Sequence, residues 1–553
     1  VIAPRHAAVL LGLVVLLLFA RLGAGALTDR DEGANAEAAR EMREQASWIS
    51  PTLNYAPRFA KPPLVYWLMA GGYATLGVGE TAARLPSATA VAVLVFLQYL
   101  FARWALGQGV AFRAALILLL GGLVVGLGRL ALTDAMLVLW TTAAGFAFFR
   151  AHHGPEPRRR WYAAMYGALA LGTLTKGPIG LLVPAVVIVA YLAVAGGWRQ
   201  VGREAGLPWG LALFLLVAGP WFAAMWWLHG GTFVARAQGE TLGRVFRTVT
   251  GPGGTVLFYV PVVLIGLFPW SALLPGALVE VLRGARRRAA ESLGGAASVF
   301  AAMWIVAVLA LFSLFQSRLP HYVAPLFPAA ALLLAARWPS RAPAPARAVL
   351  ATLGLLCGGA AVAAAALGPL MARFLTPAYP AAREAALPGS LVALGVLALA
   401  AGAAALLRDG PRLFTALASV TALLLAVGVH LAWPTFDARF VAPAGQLARL
   451  AGAAARPCDD VVVIEPYRPS LAWYARRPVL FVSIRDASRL AEIAARPGRL
   501  LVLTPRHRLD ELPAAVGALP TLDTRGGYVL LASPPAGPCP GTVPPPRAGT
   551  ITP

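Results

Sequence analysis

The chain has 553 residues, 59% of them apolar and only 13% charged, with a net charge of +23. A soluble domain carries about 25% charged and about 45–50% apolar residues. These figures exclude a soluble enzyme, a disordered chain and a fibrous protein, and they leave a polytopic membrane protein. The basic excess does not call for nucleic acid, because in helical membrane proteins arginine collects in the cytoplasmic loops.

Taken in chain order, the first apolar segment runs from Ala7 to Leu27. Ala24-Gly25-Ala26 resembles a signal-peptide cleavage site, but the many apolar segments that follow favour a retained span. An acidic stretch from Asp29 to Glu44 comes next, and its later part reads as a solvated amphipathic helix over Gly33–Gln45. Leu64–Val78 is apolar but only about 15 residues long, so it reads as interfacial and not spanning. Further spans are expected near 85–106, 114–128, 135–149, 162–175, 178–195, 208–228, 255–275, 297–317, 321–336, 348–368, 391–407 and 413–433. The total is about 13 spans at roughly 20 residues each.

With Leu64–Val78 excluded, the arginine clusters of the alternate loops between spans all fall on the N-terminal side. These include Arg158-Arg159-Arg160, Arg283 with Arg286-Arg287-Arg288, and Arg408 with Arg412. By the positive-inside rule that side is cytoplasmic. The first loop (28–84), the Arg129–Asp134 corner, Lys176, the Gly230–Gly254 loop, the Arg318–Tyr322 corner and everything beyond Asp437 then share the outer side. Residues 1–436 form the membrane domain, and 437–553 form an outer domain. In that domain Val461–Ile464, Val479–Val482, Leu500–Leu503 and Tyr528–Leu531 read as strands. Ser470–Ala475 and Ser488–Ala495 read as helices, giving an α/β pattern before a Pro-rich end. Cys458 and Cys539 bracket that domain, and an outer location permits a disulfide.

Asp31 and Glu32 lie just past the first span, where carboxylates are costly unless water or partners satisfy them. A carboxylate there can act as general base toward an acceptor hydroxyl or phosphate. At an outer corner, Thr133 or Asp134 can cap the next helix, and an acid at that boundary can cap the helix and also face a cavity. Only two lysines occur, Lys61 and Lys176; the other 45 basic residues are arginine. Both lysines map to the outer side, beside Pro or Gly-Pro. A lysine is a compact point charge and an arginine a broad fork, so these two positions suggest an ammonium set against a phosphate. His321 and the loop arginine Arg244 sit at the same level, where basic groups meet lipid phosphate. Together these groups suit a phosphate-bearing lipid substrate and not a channel filter. A transporter or flippase would instead predict inverted repeats and broken helices meeting at mid-membrane.

The stretch Asp29-Arg30-Asp31-Glu32-Gly33, with Lys61-Pro62-Pro63, Ala83-Arg84-Leu85-Pro86-Ser87, Leu174-Thr175-Lys176-Gly177-Pro178 and Leu319-Pro320-His321-Tyr322, resembles the ArnT-like and protein-mannosyltransferase-like membrane glycosyltransferases. The resemblance covers roughly residues 1–335. It implies a GT-C fold of about 13 transmembrane helices with a small C-terminal α/β periplasmic domain, in a bacterial inner membrane. It implies transfer of a sugar from a polyprenyl (undecaprenyl) phosphate donor at the outer membrane face, and the acceptor stays open among a lipid A-like glycolipid, another glycolipid or polysaccharide, and protein hydroxyls. Asp31, Asp134 and Glu32 would be the catalytic carboxylates. Lys61, Lys176, Arg244, Tyr259 and His321 would meet the donor phosphate. Two departures stand out. Many relatives carry Glu before Lys-Pro-Pro, where this chain has Ala60, and Arg three places after the first-loop Asp, where it has Ala34. In aminoarabinose transferases that Glu helps hold a divalent metal ion, so a metal requirement is left open here; no other cofactor is implied.

Overall fold

The computed structural model describes residues 2–534 except 156–157, 242, 244–254, 342, 376–387, 465–466 and 497. Four described helices are long and apolar enough to cross a membrane: Glu80–Leu106, Leu207–Gly239, Leu293–Ser313 and Gly410–Ala454. Two bent pairs, Gln108–Leu119 with Gly122–Arg129 (62°) and Tyr259–Gly266 with Trp270–Leu282 (118°), raise that number to as many as six. Several expected spans are shorter apolar helices, such as Pro4–Phe19, Ile179–Ala195 and Pro320–Ala336. By length and composition alone the described helices therefore support fewer full spans than the 13 expected. Non-helical backbone at membrane depth is tolerated where neighbours satisfy it. The Leu64–Leu76 helix has 13 residues, about 20 Å at 1.5 Å per residue, which is short of a ~30 Å hydrocarbon core.

The first-loop helix is Asp31–Glu44, and it corrects one expectation. It is not solvated: every residue from Glu32 to Met42 is buried. It packs against Leu64–Leu76 on one side and the C-terminal helix Ser470–Ala475 on another. Its charges beyond Asp31 find partners within the helix and on the elements packed around it. Arg40 pairs with Glu37 at 2.7 Å and with Glu44 at 2.6 Å. Glu41 accepts from the Tyr55 amide at 3.0 Å and from the Thr52 hydroxyl. A two-residue hairpin, β1 (Thr52–Leu53) and β2 (Ala56–Pro57), presents those donors. Burial and the neighbouring Glu37 charge push the Glu41 carboxyl up to about 8.

The C-terminal region forms a five-stranded sheet from β3 (Asp460–Ile464), β4 (Leu480–Val482), β5 (Leu500–Pro505), β6 (Thr521–Arg525) and β7 (Tyr528–Ala532). Their spatial order is β4-β3-β5-β7-β6. The β3 pairings are parallel, with Val462 opposite Leu480 and Val502; the β7 pairings are antiparallel, with Leu531 opposite Val502. The four expected strands are present. β6 is an additional edge strand. Cys458 is disulfide-bonded, Cys357 is a buried free thiol, and Cys539 lies outside the described residues.

Polar contacts join this region to the first loop. Asp29 accepts from the Arg468 guanidinium (2.8 Å), the Ser470 amide (2.9 Å) and the Ser470 hydroxyl (2.7 Å). Asn54 pairs in both directions with the Val479 backbone, at 2.8 and 2.9 Å. The Tyr474 hydroxyl accepts from the Leu27 amide at 2.7 Å. Gly33 lies directly against Ser470, and a Cβ there would stand 2.5 Å from the Ser470 nitrogen.

Gly33→Ala is expected to overpack this seam and cost about 1–3 kcal/mol, read as a lower melting temperature in detergent; an unchanged melt contradicts the packing account. The folded chain holds a proton on Glu41 that the unfolded chain releases above its ordinary 4.5. Stability should therefore fall as pH rises from there through about 8. Glu41→Gln should flatten that slope in melts recorded across the range.

Candidate active site

The second carboxylate of the first-loop helix has its hydrogen bonds filled. Glu32, 1% exposed, accepts from Arg84 at 2.8 and 3.3 Å, from the Thr28 amide and hydroxyl at 2.7 and 2.8 Å, and from the Ala131 amide at 2.9 Å. Arg84 in turn donates to the carbonyls of Leu22, Gly25 and Ala26 at 2.8–3.1 Å. A buried pair satisfied this fully ties the end of the first helical segment, the first loop, the Glu80–Leu106 helix and the Ala131 corner together. The geometry gives Glu32 a structural place, where the sequence suggested chemistry.

Asp31, one residue earlier, turns the other way. It is half-buried, and among the described residues its carboxylate accepts no hydrogen bond. Burial alone pushes that carboxyl up, but the charges of Lys61, Arg58, His321 and Lys176 outweigh it and hold it below the usual range. The four basic groups come from three elements: Arg58 and Lys61 from the loop before Leu64–Leu76, Lys176 from the end of the Arg159–Lys176 helix and His321 from the Pro320–Leu326 turn.

Asp134 approaches the same cluster from the start of the Asp134–His153 helix. Thr133 stands at the N-cap but makes no side-chain capping bond there. The Asp134 carboxylate accepts from the Lys176 ammonium at 2.6 Å and lies 3.8 Å from His321 Nε2. Its corner is fixed from three directions: Asn35 donates to the Ala131 carbonyl at 3.1 Å, Ser87 to the Leu132 carbonyl at 3.1 Å, and the Ala131 amide to Glu32. Lys176 ends its helix, where a cation complements the helix dipole. The following Gly177 takes φ +71°, a region that favours glycine. The Lys176 ammonium also sits 4.8 Å over the Tyr322 ring, a cation–π contact.

Asp31, Asp134, Lys61, Lys176 and His321 are thus brought into one electrostatic cluster. Tyr259 is buried behind it: its ring and that of Tyr322 both pack on Phe312, at 6.3 and 6.2 Å. Arg244 lies outside the described residues. The sequence reading missed Arg58, whose guanidinium donates to the Tyr66 hydroxyl (3.1 Å) and to Asn35 (3.3 Å) beside Asp31. Its only sequence signal is its place three residues before Lys61.

Among the described residues no three His, Cys, Asp or Glu side chains group closely enough to hold a metal ion. One Asp134 oxygen that could ligate a metal is already held by an ammonium. The donor set does not fit a metal. The cationic groups set against the two carboxylates are the Arg58 fork and the two lysine point charges. Three positive charges against two negative ones leave a net charge of +1 with His321 neutral.

A family model described as dolichyl-phosphate-mannose-protein mannosyltransferase matches residues 60–226. The undecaprenyl phosphate-alpha-4-amino-4-deoxy-L-arabinose arabinosyl transferase of Edwardsiella ictaluri is 31% identical over 337 residues, 58% of this chain and 57% of that protein. Its counterpart from Pectobacterium carotovorum subsp. carotovorum is 31% identical over 381 residues, 66% of each chain. The crystal structure of ArnT from Cupriavidus metallidurans bound to undecaprenyl phosphate superposes with a TM-score of 0.80 at 22% identity, covering 97% of this chain and 100% of that one. The fold is that of ArnT. The resemblance read from the first-loop motif is therefore matched in both sequence and fold. The chain spans between 57% and 66% of the length of these two curated relatives.

Because Glu32 is buried and paired while Asp31 is not, truncating each should have opposite effects on stability. Glu32→Ala leaves Arg84 buried without its partner, at a cost of about 3–5 kcal/mol. Asp31→Ala removes a half-buried carboxylate that accepts no hydrogen bond among the described residues, and should cost less, about 1 kcal/mol. Melting of the two purified variants checks this, and equal losses contradict the division of roles.

Proposed function

We propose that this chain is an integral-membrane glycosyltransferase. It transfers a sugar from an undecaprenyl-type polyprenyl phosphate donor to a lipid A-like glycolipid at the periplasmic face of a bacterial inner membrane. The observation that carries the reading is the pair of carboxylates, Asp31 and Asp134, set among Arg58, Lys61, Lys176 and His321 at one end of the helical bundle. Residues 1–436 would form the membrane domain and 437–553 the periplasmic domain. The names of the curated relatives and the bound lipid of the ArnT structure support the donor class.

In the proposed step the acceptor hydroxyl oxygen bonds to the anomeric carbon. The bond from that carbon to the phosphate oxygen breaks, and its electron pair leaves with the polyprenyl phosphate. The hydroxyl proton passes to Asp31, a general-base contribution of about 10²–10⁴-fold. Lys61, Lys176 and Arg58 stabilise the charge that grows on the departing phosphate. Asp134 orients Lys176. Arg58 supplies a guanidinium near the position where Ala34 lacks one, and no metal enters the step.

The donor also adjusts the base. In the unliganded site the surrounding cations depress the Asp31 carboxyl, which makes it a weak base. A phosphate anion among those cations cancels part of their field, and the carboxyl rises toward the working pH. The match to a protein mannosyltransferase model over residues 60–226 favours protein hydroxyls as the second acceptor class.

Asp31→Asn should abolish sugar transfer in a membrane assay with labelled polyprenyl-phosphate sugar while the protein stays folded; retained turnover removes Asp31 from the role. Lys61→Arg should raise the KM for donor, because a fork cannot reproduce the point charge. The acid limb of kcat, which reports the bound complex, should lie at higher pH than that of kcat/KM, which reports the free enzyme. Coincident limbs contradict activation by the donor.

A further inference from the structure

Two cavities adjoin where the first loop meets the C-terminal region, and arginines line both. One, of about 580 Å³, is lined by Arg449, Tyr474, Arg476 and Arg477 among others. The other, of about 340 Å³, is lined by Arg40, Arg43, Glu44, Val78 and Arg476. Arg476 is common to both.

Not all of these charges are available. Arg40 is held by Glu37 and Glu44, and Arg449 by Glu80 at 2.5 Å. Arg43 and Arg476 differ. Arg43 donates to the Tyr73 carbonyl at 2.9 Å and Arg476 to the Val78 carbonyl at 3.5 Å. Among the described residues neither forms an ion pair with a carboxylate, and both are exposed. Arg477 likewise donates to main-chain carbonyls, those of Ala455, Arg456 and Asp459. The Glu44 carboxylate in the smaller cavity is taken by Arg40 and by the Tyr55 hydroxyl at 2.8 Å.

The location narrows the ligand. Val78 and Glu80 stand at the start of Glu80–Leu106, a helix long and apolar enough to cross a membrane, so the groove lies at one end of that span. Arg43 is twelve residues along the first-loop helix from Asp31, about 18 Å at 1.5 Å per residue. The groove is therefore separate from the carboxylate cluster but rigidly tied to it through a buried helix. Exposed guanidinium forks at headgroup level recognise phosphate in preference to a neutral sugar or an apolar chain.

We propose that this groove binds a phosphate group carried on a membrane lipid headgroup, with Arg43 and Arg476 as its principal contacts. The inference rests on the glycosyltransferase reading only in suggesting the source: a phosphate on the acceptor glycolipid, held away from the carboxylate cluster. Bulk anionic phospholipid is the other source of the same chemistry.

The test uses the full chain in phosphatidylcholine nanodiscs, doped in turn with phosphatidylglycerol, with bis-phosphorylated lipid A, or with lipid A stripped of phosphate. Native mass spectrometry counts the lipid retained. The double variant R43Q/R476Q should weaken retention of both phosphate-bearing probes about tenfold or more and leave the stripped probe unchanged. Tighter retention of lipid A than of phosphatidylglycerol identifies the acceptor as the source; equal retention identifies bulk lipid. Unchanged retention in the variant overturns the site. If the variant does not fold, the wild type serves: retention of the phosphate probes should fall at high salt, and salt-independent retention overturns the site. Binding is scored without turnover, so loss of the groove and loss of the transferase reading are separate results.

Discussion

The buried Glu32–Arg84 pair is the constraint on which the rest of the outer end depends. Two charges removed from water are stable only when their remaining hydrogen-bonding capacity is filled, and here it is filled by backbone from two separate segments, residues 22–28 and Ala131. That requirement sets where the first loop leaves the first helical segment and how it meets the Ala131 corner. Asp31 and Asp134 follow from it. One is the neighbour of Glu32 on the same helix turn, and the other lies three residues beyond the amide that Glu32 accepts from. Glu32, with its hydrogen bonds filled by its neighbours, thereby positions both carboxylates.

The five residues Asp29 to Gly33 divide their work by direction. Asp29 caps the C-terminal helix at Ser470, Asp31 faces the cations, Glu32 faces inward to Arg84, and Gly33 lets Ser470 approach. A helix turn presents successive residues about 100° apart, so one short motif can address the C-terminal region, the bundle and the candidate site at once. This also explains why the C-terminal region matters to a site it does not itself supply: its docking holds the turn that carries Asp31.

Much of this was legible in the sequence, and the exceptions have physical causes. Apolar runs marked most helices, the strands β3, β4, β5 and β7 stood out as short Val/Leu-rich segments, and Lys61 and Lys176 stood out by rarity. β6 did not, because its Thr-Leu-Asp-Thr-Arg sequence is polar on an exposed sheet edge. The first-loop helix read as solvated because charged residues are seldom buried unless paired. Its partners, Arg40 for Glu37 and the C-terminal region as cover, are visible only in the fold. Arg58 was hidden among 45 arginines. The roles of Asp31 and Glu32 could not be told apart from two adjacent acids.

The central claim is that Lys61, Lys176 and Arg58 receive the donor phosphate beside Asp31. The most direct measurement is an experimental structure of this chain with undecaprenyl phosphate bound. The account predicts the phosphorus among these three cations, with at least one lysine ammonium at about 2.7–2.9 Å from a phosphate oxygen and Lys176 drawn away from Asp134. A phosphate bound elsewhere, with the Lys176–Asp134 pair intact and Asp31 facing solvent, would contradict it.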